Sequence, residues 1–250
     1  MNQNKFSDSA GVPWQGRSFD SNRFSNDDGE TPKKIALALE SHAKAPNLLL
    51  LVDSLRGERL LIPLLATLGE SELGPHGHKV DKSADLAIVA VATPDKQTAI
   101  PVFTSVAHMA AWNQEARPVP VESERVAIAA ISEGHTRIIL NPATDAIAIR
   151  RPALEAIAKE QPWLLPHTNE KVSLLISEAI ANASEVQSFE LSEGDAQGKL
   201  LATELKIKLT LAPGLDAQRL SDLLTEIGSR LRTEEFLGLV DSISFQLLAS

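Results

Sequence analysis

Cysteine and tyrosine are absent from the 250 residues, and aromatics of all kinds reach only 4%. Without cysteine there is no disulfide, no thiolate nucleophile and no Cys-based zinc site. No apolar run approaches the length that spans a bilayer, and the best, Leu48 to Val52, is far too short. The opening residues, Met1 to Ala10, are polar and lack the apolar stretch of a signal peptide. The expected location is cytoplasmic, with no membrane partner. A basic stripe is missing too: 24 Lys and Arg are interspersed among 33 Asp and Glu, for a net charge of −9. Counterion release on nucleic acid needs clustered cations, so no direct nucleic-acid partner is expected, and the acidity serves solubility. No Gly-rich phosphate loop, dinucleotide fingerprint or metalloprotease helix occurs, and no cofactor is expected.

What is present is an ordinary globular composition, 43% hydrophobic and 23% charged, built on small aliphatics. Residues 1–30 are rich in Ser, Asn, Asp and Gly, with isolated Trp14, Phe19 and Phe24. Such a segment buries too little apolar surface to order itself and reads as flexible. Thr31 as a cap and Pro32 in the first turn open a helix carrying Ile35, Leu39 and His42. Pro46 ends it, Asn47 caps a second helix through Leu55, and Gly57 closes that one. Arg59–Thr67 reads as a strand in which Pro63 points to an edge or a bulge. After a polar connection, the mostly apolar Asp85–Ala92 reads as a central strand. Thr98–Phe103 then completes an antiparallel meander.

A helix capped by Thr104 or Ser105 carries Val106, Met109 and Trp112, and Arg117–Val121 is extended because proline biases its predecessor away from helix. Glu122–Glu133 is a helix closed by Gly134. Arg137–Leu140 and Ala146–Ile149 flank the turn Asn141-Pro142, and Pro152 starts a further helix. Pro162–Pro166 reads as a linker, followed by helix, strand, strand, helix, strand. There Val172, Leu175, Ile176, Ala179 and Ile180 share one helical face. Leu205, Ile207, Leu209 and Leu211 alternate with Glu204, Lys206, Lys208 and Thr210, one face buried and one wet. The expected fold class is α+β. Residues 31–162 and 163–250 form two small domains, each a largely antiparallel sheet covered by helices.

Five groups of residues invite a chemical reading. Phe103, Thr104 and Ser105 end a strand at a helix N-terminus, where backbone N–H groups can meet an anion or where a hydroxyl simply caps the helix. His108 follows three residues later. No Gly-x-Ser-x-Gly elbow surrounds Ser105, but a pocket of Ser105, His108 and Asp85 is the hydrolytic or small-molecule alternative. His76 and His78, near Asp81, are two potential metal ligands where metal sites want three or four, so no metal is expected. Asp81 and Asp85 flank Lys82 and suit turn hydrogen bonds or an ion pair with Lys82 or Arg59. The acids Asp27, Asp28 and Glu30 lack a full calcium-loop pattern and suit the dipole of the helix that follows. Trp112 with Arg117, Pro118 and Pro120 forms an aromatic and proline-containing surface suited to an interaction patch.

Several segments together resemble the SseB family, in particular its bacterial cytoplasmic branch. The match is carried by Asn22 and Phe24 to Gly29, by Arg59-Leu-Leu-Ile-Pro63, and by Asp81-Lys-Ser-Ala-Asp-Leu86. It continues through Ile100-Pro-Val-Phe-Thr-Ser105 and Trp112 with Arg117-Pro-Val-Pro-Val121. The resemblance implies the family's N-terminal domain over about residues 31 to 160, with a C-terminal part similar in layout. The family name is shared with secretion-translocon proteins, but no translocon-like hydrophobic segment or coiled coil occurs here. The fold is carried over and the secretion role is not. With no convergent titratable set in the sequence, the expected function is a non-enzymatic interaction or adaptor protein. Its partner is another protein, bound through Phe103, Thr104, Ser105, Trp112, Arg117, Pro118, Pro120, Asp81 and Asp85, with a homodimer through the C-terminal domain as a further expectation.

Overall fold

Chain punctuation sets the first elements. The computed structural model describes residues 24–65 and 89–248. Helix α1 (Lys33–Lys44) starts at Pro32, and α2 (Leu48–Leu55) is capped by Asn47, whose side chain accepts from Leu50 N–H. Thr31 is not the cap. Its hydroxyl lies 3.0 Å from that of Thr104 instead. Strands β1 (Arg59–Leu64), β2 (Val91–Ala92) and β3 (Thr98–Val102) precede α3 (Val106–Trp112), β4 (Arg117–Glu122) and α4 (Ser123–Ser132). The hairpin β5 (Arg137–Leu140) and β6 (Ile147–Arg150) then leads into α5 (Arg151–Ala158). Beyond a short 3₁₀ turn come α6 (Glu170–Ile180), β7 (Val186–Glu193), β8 (Leu205–Leu211), α7 (Ala217–Arg230), α8 (Glu234–Leu237) and β9 (Ile243–Leu248).

The α+β class holds, but the strands pair differently from the expected meander. β1 pairs antiparallel with β4, while a separate sheet runs in the order β2-β3-β5-β6. Within it β2 and β3 are antiparallel, β3 and β5 are parallel, and β5 and β6 form the expected hairpin. Of the strand expected over Asp85–Ala92, residues 85–88 lie outside the described residues, and Val91–Ala92 pairs with β3 at the end of the described sheet. In the C-terminal sheet β7 pairs antiparallel with β8, but β9 joins β8 in parallel, so that sheet is mixed. The connection through α7 and α8 returns the chain to the same end of the sheet, which a parallel pairing requires.

Burial follows the periodicities. Ile100, Val102, Ile138, Leu140, Ile147 and Ile149 face a core shared with Ile35, Leu51, Leu55, Val126, Leu154 and Trp163. Thus Trp163, inside the expected linker, is packed into the N-terminal core. A second core joins Leu205, Ile207 and Leu209 to Val172, Ile176, Leu223 and Ile227. Strands β5 and β6 are buried at every position, because their other face is also covered. There Ala99, Ile139 and Ala148 meet Leu200, from the loop between β7 and β8. That loop lies along β6, and Gly198 O accepts the Ala148 N–H at 2.7 Å. Gly198 is needed there: its φ is 65°, and a Cβ would stand 3.1 Å from the Ala148 carbonyl oxygen.

Candidate functional site

The parallel strands β3 and β5 end side by side, and the crevice beyond such carboxyl ends is where open α/β sheets usually take ligands. Thr104 and Asn141 occupy those ends and both are fully buried. Asn141 has φ 49°, in the left-handed region that asparagine tolerates. Its Oδ1 accepts the Thr104 N–H at 3.0 Å, while its Nδ2 donates to Thr104 Oγ1 at 3.1 Å and to Asp145 Oδ2 at 2.7 Å. One amide side chain therefore ties together two strand ends and the hairpin loop.

Residues 24–30 fold onto this crevice. Asp27 Oδ1 accepts the Gly29 N–H at 2.8 Å, and Gly29 O in turn accepts the Val106 N–H at 2.9 Å. Arg59, the first residue of β1, is buried and donates to both Asp27 carboxylate oxygens, to Thr104 O and to Glu30 O. The hydrogen bond from Arg59 holds the Asp27 carboxyl below its ordinary value, against the cost of its burial. Asp27 is thus the partner of Arg59 rather than a dipole partner of α1. Asp28 makes the local turn, accepting the Glu30 N–H.

Ser105 caps α3: its hydroxyl accepts the His108 N–H at 3.2 Å and also lies 2.7 Å from His108 Nδ1. The other ring nitrogen of His108 is 3.9 Å from Asp145 Oδ2. Serine, histidine and aspartate thus stand in line, with Asp145 in the place expected of Asp85. Ser105, however, is only 3% exposed. Phe103, Thr104 and Ser105 all lie beneath the surface: Thr104 meets Thr31, and Phe103 packs with Leu61, Met109 and Trp112. They are not available as docking contacts. Asp81, Asp85, Lys82, His76, His78, Asn22, Trp14 and Phe19 lie outside the described residues. Among the described residues no group of three or more His, Asp or Glu is placed to hold a metal ion.

The Trp112 strip lies beside this network. Trp112 is half-buried and packs on Phe103 with ring centroids 5.4 Å apart and planes 42° apart. Leu61 and Met109 complete the cluster beneath it. Arg117 and Pro118 are exposed and Pro120 is half-buried. The strand edge here has an unusual chemistry. Leu61 exchanges both backbone hydrogen bonds with Phe103, so its polar groups point away from β4. Alternation then turns Pro120 and Pro118, opposite Leu61 and Pro63, away from β1. Their missing N–H groups fall on the outer edge of β4, which offers carbonyls and few donors. Such an edge resists the addition of another strand.

Sequence reasoning passed over four participants: Arg59 as a hub, Asn141, Asp145 and the pair Arg137 and Arg150. The last pair had a signal. The hairpin around Asn141-Pro142 sets Arg137 directly opposite Arg150, and like charges in cross-strand register need anions from elsewhere. Those anions are Asp95, Asp195 and Asp241, at the junction with the C-terminal part.

Among the described residues no helix is long and apolar enough to cross a membrane. No curated protein and no solved structure matches the chain. Residues 35–156, which include Arg59, Asn141 and the Trp112 strip, match the family model of the SseB protein N-terminal domain, and this part of the chain belongs to the SseB family.

Proposed function

We propose that the SseB-type part of the chain is a non-enzymatic binding module, an adaptor that takes a protein partner on the strip of Trp112, Arg117, Pro118 and Pro120. The reading rests on a contrast in accessibility. The polar groups of Thr104 and Asn141 are buried and spent on one another and the buried Ser105 hydroxyl is spent on His108, whereas Arg117 and Pro118 stand exposed beside a half-buried indole. An aromatic and an arginine at a rigid, proline-stiffened edge suit protein contacts. With the outer edge poor in donors, the partner engages side chains rather than adding a strand. In this reading the chain works in the cytoplasm, and residues 163–250 supply a second surface or a dimer contact, where Leu237 and Leu247 are exposed. Affinity capture with wild type, Trp112→Ala and Ser105→Ala tests the assignment. A partner retained by wild type and Ser105→Ala but lost with Trp112→Ala is expected. Identical captures from all three, or none above background, would contradict it.

The alignment of Ser105, His108 and Asp145 favours a second reading, a serine hydrolase whose nucleophile is buried. In that scheme His108 Nδ1 takes the Ser105 proton and Asp145 orients the ring from the other side. A fluorophosphonate probe decides it. Labelling that disappears in both Ser105→Ala and His108→Ala would replace the adaptor reading.

A further inference from the structure

We propose that Arg137 and Arg150, set into a recess lined by Asp195, Glu204 and Asp241, form a clasp between the two parts of the chain that loosens when Glu204 loses its proton. Arg150, at the end of β6, bonds Asp195 at 2.6 Å, Asp241 at 2.8 Å and the Ala202 carbonyl at 2.8 Å. Arg137, at the start of β5, bonds Asp95 on one side and Asp241, at 3.3 Å, on the other. Both guanidiniums are buried, at 2% and 6% exposure, as is Asp195, while Asp241 is half-buried. The same contacts anchor the loop that runs along β6: Asp195 also accepts the Lys199 and Leu200 N–H groups.

The charges do not balance. Two guanidiniums face four carboxyl groups, Asp95, Asp195, Asp241 and Glu204. The first three take the arginines, and among the described residues Glu204 is left with a single donor to its carboxyl, the Asp241 N–H at 2.6 Å. From the elements around it Glu204 meets Asp241 in the turn before β9, Asp195 in the β7–β8 loop and Arg150 on β6, with Arg137 and Asp95 behind them. Lys199 gives no relief, since its ammonium is held by the Asp145 carbonyl. Burial, with the charges of Asp241 and Asp195, raises the Glu204 carboxyl to about 7, more than the Asp241 N–H and Arg150 lower it. A cavity of about 630 Å³, lined in part by Arg137, Arg150, Asp241 and Ser242, adjoins the cluster and gives water a way in.

The direction follows from linkage. A solvated Glu204 ionises near 4.5 and the clasped one near 7. The clasped state is therefore favoured most below 4.5, and that advantage is lost as pH rises from 4.5 through 7. The shift in the equilibrium between clasped and loosened states across this window is on the order of a hundredfold.

Hydrogen exchange on the full chain, corrected for the intrinsic pH dependence of amide exchange, reads it. The Lys199, Leu200 and Ala148 amides are expected to lose protection by on the order of a hundredfold between mildly acid and mildly alkaline buffer, while amides of the β8 interior keep theirs. In Glu204→Gln, which can still accept the Asp241 N–H, protection becomes independent of pH. Constant protection in wild type, or an unchanged pH dependence in Glu204→Gln, would overturn the proposal. A ¹³C titration of the Glu204 carboxyl in wild type requires no variant: a midpoint near 7 supports the clasp, and one near the ordinary 4.5 defeats it.

Discussion

The Arg59 network and the Arg137–Arg150 clasp are both buried polar clusters, yet they are built on opposite charge balances. Around Arg59 one guanidinium meets one carboxylate, Asp27, and its remaining donors go to the backbone carbonyls of Thr104 and Glu30. Around Arg137 and Arg150 the acids outnumber the bases. The first cluster is closed and fixes the ends of β3 and β5; the second carries a surplus acid and responds to protons. A polar cluster is thus not evidence of catalysis by itself. What distinguishes one from another is which groups are left over once the pairs are made.

Removing a base from the unbalanced cluster should have the largest effect. Arg150→Met leaves Asp195 without its arginine, beside Glu204, and Asp241 with Arg137 alone, and a loss of about 3–5 kcal/mol in urea unfolding is expected. Arg59→Met strands Asp27 and two backbone carbonyls and should cost about 2–3 kcal/mol. A smaller loss for Arg150→Met than for Arg59→Met would reverse the ranking of the two clusters. The pH dependence separates them further. Asp27, held below its ordinary 3.8, contributes stability above that value that is lost as pH falls through its depressed one. Glu204 contributes in the other direction, its share lost as pH rises from 4.5 through 7. Unfolding curves of Asp27→Asn and Glu204→Gln across pH should therefore flatten opposite limbs of the wild-type profile. Asn141→Ala removes the acceptor of the Thr104 N–H and should cost about 1–3 kcal/mol. Ser105→Ala loses a helix cap and should cost about 1 kcal/mol, measured by the same denaturation.

Much of the local structure was legible because its causes are local. Asn47 caps α2, Gly57 and Gly134 take φ values of 71° and 81° after helices, and the Leu205–Leu211 alternation matches burial residue by residue. Strand partners were not legible. Nothing in the periodicity of Thr98–Phe103 says that it lies parallel to Arg137–Leu140 rather than antiparallel to Arg59–Leu64. That choice depends on how α3, β4 and α4 carry the chain between them. Asp145 was missed for the same reason, since only the parallel pairing brings the β5–β6 loop to His108. The exposed strip was the easier part: Arg117-Pro-Val-Pro-Val121 is extended by its prolines whatever it packs against. The burial of Thr104 was harder, because its hydroxyl meets that of Thr31, more than seventy residues earlier.

The adaptor reading has one most direct measurement. A photo-crosslinking side chain in place of Arg117, activated in the native cells, should give a discrete protein adduct that survives in the Ser105→Ala background and disappears with Trp112→Ala. An adduct indifferent to Trp112→Ala, or adducts only from a distant exposed position such as Glu133, would contradict the account.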